Sequence, residues 1–98
     1  MNTNLVNKKV IARINRAGVY HGVLDAWDGD IIRLKEVRRI YYWQGALSVT
    51  DMSVHGIKGG KVTCPASEVE FLAKEVIEVN ACSDEASKAI ESVPAWKA

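Results

Sequence analysis

The sequence predicts an α+β domain, mainly β: a small bent antiparallel sheet or barrel of about five strands, a short helix after the third strand and a C-terminal helix. Three observations predict it. Short β-rich runs separated by glycine and aspartate turns fill the first half of the chain. An apolar stripe at helical spacing lies near its end. The 98 residues are 48% hydrophobic and 26% charged, which suits one globular unit over residues 1–98 without long disorder.

In Val10–Ile14, the side chains of Val10, Ala12 and Ile14 share one face at the two-residue period of a strand. Ala17 and Gly18 break this run for a hairpin turn. Val19–Trp27 is the second run, and Gly22 inside it marks the bulge or bend that a small barrel needs at a corner. Asp28, Gly29 and Asp30 signal a tight turn, with Asp-Gly supplying positive φ. Ile31–Leu34 opens a third strand that continues through Val37 and Arg39 to Trp43. Over Gln44–His55, the spacing of Ala46, Val49 and Met52 reads as a short helix, while Val49 and Thr50 would also suit a strand. A helix there closes at Gly56 or at Gly59-Gly60. Lys61–Cys64 is a short strand ended by Pro65, and Glu68–Leu72 and Glu75–Val79 are the last strand segments.

The final element is a helix. Ser83 is its N-cap, Asp84 and Glu85 favour its first turn, and Ala86, Ala89, Ile90 and Val93 form its apolar stripe. Pro94 stops it. Trp96 either docks on the body or waits for another subunit.

Charge bounds the partners. Thirteen Lys and Arg against twelve Asp and Glu give a net charge of +1, so any phosphate site needs locally clustered cations. Cys64 and Cys82 have neither C-x-x-C spacing nor paired histidines, which points to two small buried thiols in a reducing compartment, with a disulfide as the alternative. The N-terminal residues hold no apolar run fit for a signal peptide, and no stretch reaches the ~20 apolar residues of a membrane span. A cytoplasmic protein without cofactor or metal is expected.

The chemistry-bearing segment is Arg33 to Trp43. If one strand continues through it, Arg33, Lys35, Arg39, Tyr41 and Trp43 share a face, with Arg38 beside them. Guanidinium forks take phosphate in bidentate, charge-assisted hydrogen bonds, and aromatic rings stack on a base. Tyr20 and His21 on the second strand extend the candidate ligand-binding set of Arg33, Arg38, Arg39, Tyr41 and Trp43. The same residues also suit core or interface packing, with arginines stacked on rings and paired to Glu36 or Glu68. His21 and His55 stand without a carboxylate or cysteine at triad or metal spacing. Gly56–Lys61 lacks the ending of a phosphate loop, and Asp25, Asp28 and Asp30 lack the remaining positions of a calcium loop. Arg13, Arg16, Lys8 and Lys9 either extend a basic surface or are scattered solvated charges.

Two resemblances accompany these residues. Val10–Val37, with Gly22-Val23-Leu24 followed by Trp27-Asp28, resembles the first half of an Sm-like small barrel. The resemblance implies a bent-strand topology. The nucleobase-binding asparagine of that family would fall near Ile31 or Ile32, and neither can serve. Nearly the whole chain is similar to a family of small phage-encoded proteins of unassigned function, through Ala17-Gly18-Val19, the run Arg38 to Ala46, and Glu75 to Cys82. That likeness implies a phage origin and brings no activity.

The function expected is a non-enzymatic, homo-oligomeric phage protein that binds a small phosphate-bearing nucleotide, soaking up a host immune signal in the host cytoplasm. The alternatives are an Sm-like nucleic-acid-binding protein and a module that binds a host protein through the Arg-Tyr-Trp strand. No general base or nucleophile has a partner at a recognised spacing, so an enzyme is not expected.

Overall fold

The computed structural model describes residues 3–97; Met1, Asn2 and Ala98, the ends of the expected 1–98 unit, lie outside them. After a 3-10 turn at Thr3–Leu5 come strands β1 (Lys9–Ile14), β2 (Gly18–Trp27) and β3 (Ile31–Gln44), then helix α1 (Val49–His55). Strands β4 (Gly59–Val62) and β5 (Ala66–Leu72) come next, then a 3-10 turn at Ala73–Glu75, β6 (Val76–Ala81) and helix α2 (Asp84–Glu91). The fold is α+β and mainly β, with a short helix after the third strand and a C-terminal helix.

All strand pairs are antiparallel, in the order β4-β3-β2-β1-β6, with β5 also on β3. β3 explains this arrangement. One of its edges runs along β2, while its other edge carries β5 over Ile31–Val37 and β4 over Ile40–Gln44. The sheet is bent and open: it does not close into the barrel that was the other expected form. It has six strands where about five are expected, because the last two segments are separate strands on different partners, β5 on β3 and β6 on β1.

Two apolar clusters arise from strand alternation. Val10, Ala12 and Ile14 of β1 face one cluster with Leu24, Ile32, Leu34 and Val37, against which Val69 and Phe71 of β5 and Val76 and Val79 of β6 also pack. Ile11 faces the other with Ile40, Met52, Val62 and Ile90, which the helices cover. Burying each Val, Leu, Ile or Met side chain among them contributes about 1.5–3 kcal/mol.

Local chemistry fixes the connections. In the β2–β3 turn, the Asp28 carboxylate accepts from the amides of Asp30 (2.7 Å) and Ile31 (2.9 Å). These bonds hold its carboxyl below the ordinary value. The positive φ expected at Gly29 is absent; the aspartate side chain makes the turn instead. The helix expected within Gln44–His55 is confined to its second half, since β3 pairs with β4 as far as Gln44. Ser48 caps α1 by accepting from Asp51 N, and Gly56 ends it at φ 78°. A Cβ at Gly56 would sit 2.7 Å from Ala89 Cβ, so a glycine lets the helices approach. Ser83 caps α2 and also donates to Val54 O (2.6 Å), fastening the start of α2 to α1.

Candidate functional site

β3 is continuous in its pairing but not in its alternation. Glu36 has φ 50°, and the register with β2 passes from Val23↔Lys35 to His21↔Arg38, one extra residue on β3. Lys35 and Glu36 are both exposed, and Val37 and Arg38 are both buried. A second shift lies between Ile40 and Tyr42 against β4. The single face expected for Arg33, Lys35, Arg39, Tyr41 and Trp43 is therefore divided. Gly22 sits across from the first bulge, where a Cβ would meet Lys35 O at 2.9 Å and Val37 Cα at 3.1 Å.

The candidate residues go to different places. Arg33 is enclosed by carboxylates: Asp25 at 3.2 Å, Glu68 at 3.4 Å and Glu70 at 2.7 Å. Lys35 adds a second cation to Asp25 at 3.2 Å. Hydrogen bonds from Arg33 and then Lys35 hold the Asp25 carboxyl low. Arg38 is buried and donates to four main-chain carbonyls: Thr63 (2.7 Å), Ile90 (2.9 Å), Glu91 (3.3 Å) and Val93 (2.8 Å). It closes the C-terminal end of α2, where unpaired carbonyls favour a cation. His21 is buried, with Nε2 3.1 Å from Ser87 Oγ, and burial lowers its pKa to about 4, leaving the ring neutral. Trp43 packs on the helix-covered cluster and donates from Nε1 to Ala46 O at 3.3 Å.

Arg39, Tyr41 and Tyr20 do come together. The Arg39 guanidinium lies 4.4 Å from the centroid of the Tyr41 ring and 5.9 Å from that of Tyr20. Tyr20 is fixed from behind by Phe71 (4.7 Å between centroids) and by its own hydroxyl donating to Ala17 O. Tyr41 is 57% exposed.

The hairpin turn between β1 and β2 completes this site, with residues whose sequence suits a basic surface and scattered charge equally. Arg39 lies against Gly18, where a Cβ would stand 3.1 Å from its Nε, and joins Arg13 and Arg16 around a cleft of about 390 Å³. Arg16 takes φ 66° in the turn. None of the three guanidinium groups forms an ion pair among the described residues. The nearby carboxylates keep their charge but form no ion pair with these arginines: Glu78, opposite Arg13 in the sheet, accepts from Asn80 Nδ2, and Glu75 accepts from Asn15 Nδ2, both at 2.9 Å. No sequence motif signals this cluster, because the pairing of β1, β2 and β3 assembles it.

Beyond Tyr41 a second cleft, about 360 Å³, is lined by Tyr41, Lys61 and Trp96. Lys61 Nζ stands 4.6 Å from the centroid of the Trp96 ring, and the tail is docked by Trp96 N donating to Val62 O at 2.8 Å. Both cysteines are free thiols; Cys64 is exposed rather than buried, because it lies just past the end of β4. Burial pushes the Cys82 thiol up. No group of three or more metal-ligating side chains gathers among the described residues, and none of their helices is long and apolar enough to cross a membrane.

The fold and site define a small β-rich domain with an open, arginine-lined cleft beside exposed aromatic rings. The chain belongs to the family of the domain of unknown function DUF6948, which matches residues 7–90. No curated protein matches it. The family match includes Arg13, Arg16, Arg39, Tyr41 and Lys61, and ends before Trp96.

Proposed function

We propose that this domain is a non-enzymatic binding protein for a phosphate-bearing nucleotide. Arg13, Arg16 and Arg39 receive the phosphate, and Tyr41 lies beside the rest of the ligand. The observation that carries the reading is the position of Arg39. Its guanidinium lines the arginine cleft, lies over the exposed Tyr41 ring and forms no ion pair among the described residues. Such a guanidinium keeps its donors for a phosphate.

The biological role that goes with this ligand class is sequestration of a host signalling nucleotide in the host cytoplasm by a phage protein. That role rests on the sequence resemblance. Self-association belongs to the same reading, since β5 and β6 each pair along one edge only among the described residues. Thermal unfolding measured with a panel of linear and cyclic nucleotides tests the binding. A ligand at 100 times its Kd raises stability by about 2.7 kcal/mol, a readily visible shift. Unchanged unfolding with every nucleotide at millimolar concentration removes the proposal.

A second reading, binding of single-stranded nucleic acid, is favoured by the further cation-and-ring pair of Lys61 and Trp96 next to Tyr41. Salt separates the two. Strand binding through several phosphates weakens steeply with ionic strength, whereas a mononucleotide in one cleft loses less.

A further inference from the structure

Resting on the nucleotide reading, we infer that the cleft between Tyr41, Lys61 and Trp96 is a base subsite, and that the ligand is a nucleoside carrying two or more linked phosphates. Two clefts adjoin. One is lined by Arg13, Arg16 and Arg39 and has about 390 Å³; the other has about 360 Å³ and is walled by two half-exposed rings. Arg39 and Tyr41 join them, stacked at 4.4 Å, so a ligand that fills both passes from guanidinium groups directly onto rings. Each cleft lies within the size range of small-ligand sites.

Charge selects the phosphate count. Three arginines without ion-paired carboxylates place three positive charges around one cleft. A single phosphate ester offers three oxygens and about −1.5 to −2 charge, whereas a diphosphate or triphosphate offers the three forks more of both. The second cleft contributes no carboxylate to repel such a ligand.

The tail makes the base subsite. Ala95 bridges Val62, Trp96 N donates to Val62 O, and the carbonyl of Val93 is held by buried Arg38. These contacts set the indole beside Lys61, leaving Trp96 54% exposed although its main chain and the residues before it are anchored. An anchored, exposed ring across from a second exposed ring suits a planar base between or upon them.

Titration calorimetry with adenosine, AMP, ADP and inorganic pyrophosphate, on the unaltered chain and on Trp96→Ala, tests this. ADP is expected to bind on the order of tenfold to a hundredfold more tightly than pyrophosphate, the increment of one stacked base. ADP also binds more tightly than AMP, and adenosine alone is weakest. Trp96→Ala brings ADP down toward pyrophosphate and leaves pyrophosphate itself unchanged, which also shows that the variant is folded. Equal affinities for pyrophosphate and ADP, equal affinities for AMP and ADP, or an unchanged ADP affinity in Trp96→Ala would overturn the inference while phosphate binding stands. If neither pyrophosphate nor any adenine nucleotide binds, this inference falls, and the wider nucleotide panel decides the reading on which it rests.

Discussion

The guanidinium of Arg38, in the middle of β3, donates to the carbonyl of Val93, two residues past the end of α2, at 2.8 Å. Through this bond and those to Ile90 and Glu91, a sheet strand terminates a helix that lies half the chain further on. The energetic requirement is plain. Buried carbonyls need donors, and only a planar fork with several N–H groups serves so many at once.

Replacing that fork is therefore costly. Arg38→Lys keeps the charge but offers a point donor, and is expected to lose about 2–3 kcal/mol in urea unfolding. Arg38→Met should lose at least as much. Proteolysis just after Ser92 should speed up in both variants, and unchanged resistance would mean that the tail does not depend on the clamp.

His21 makes stability depend on pH. Its pKa falls from 6.5 in the free side chain to about 4 in the fold, first through burial, with Lys9 and Arg38 adding to the lowering and Glu91 opposing it. A depressed histidine favours the folded state only while neutral. Its contribution is complete above about pH 6.5 and is lost as pH falls from there through 4. The shift corresponds to about 3 kcal/mol. Urea midpoints at pH 7 and pH 4 should diverge strongly in the unaltered chain and much less in His21→Gln; equal divergence would assign the effect to other groups.

Two glycines make a matched comparison. A Cβ at Gly22 would press on Lys35 O and on the Val37 backbone, whereas at Gly29 it meets nothing within 4 Å. Neither position needs positive φ. Gly22→Ala should destabilise by about 1–3 kcal/mol, and Gly29→Ala should be neutral or add about 0.4–1 kcal/mol. Comparable melting temperatures for the two variants would mean that the bulge yields easily.

Arg39 and Arg33 test the site against the sequence pattern that puts both on one face. Arg39→Ala is expected to weaken nucleotide binding on the order of tenfold to a hundredfold, as loss of charge-assisted hydrogen bonds does. Arg33→Ala should leave affinity unchanged, because Asp25, Glu68 and Glu70 already occupy its donors. The reverse ranking by calorimetry would move the site to the other end of β3.

The elements are largely readable in the sequence because their causes are local. Ser83 and the acids after it announce α2, and alternation in Val10–Ile14 announces β1. The orientation of β3 is not readable. A glutamate at positive φ leaves no signature in composition or period, yet Glu36 reverses the faces of the strand residues beyond it. Arg38 looks from sequence like its neighbour Arg39; only distant carbonyls separate a buried clamp from an open donor. Arg13 and Arg16 gain meaning only once the sheet brings Arg39 across Gly18.

The shared strand β3 has a consequence for how the molecule comes apart. It supplies Ile40 to one apolar cluster and Ile32, Leu34 and Val37 to the other, and it hydrogen-bonds to three strands. Neither half can open by itself without stripping a common partner, so the domain should melt as one cooperative block. Amide protons in the centre of β3 should then exchange with solvent no faster than whole-molecule unfolding allows, however far they lie from either end of the chain.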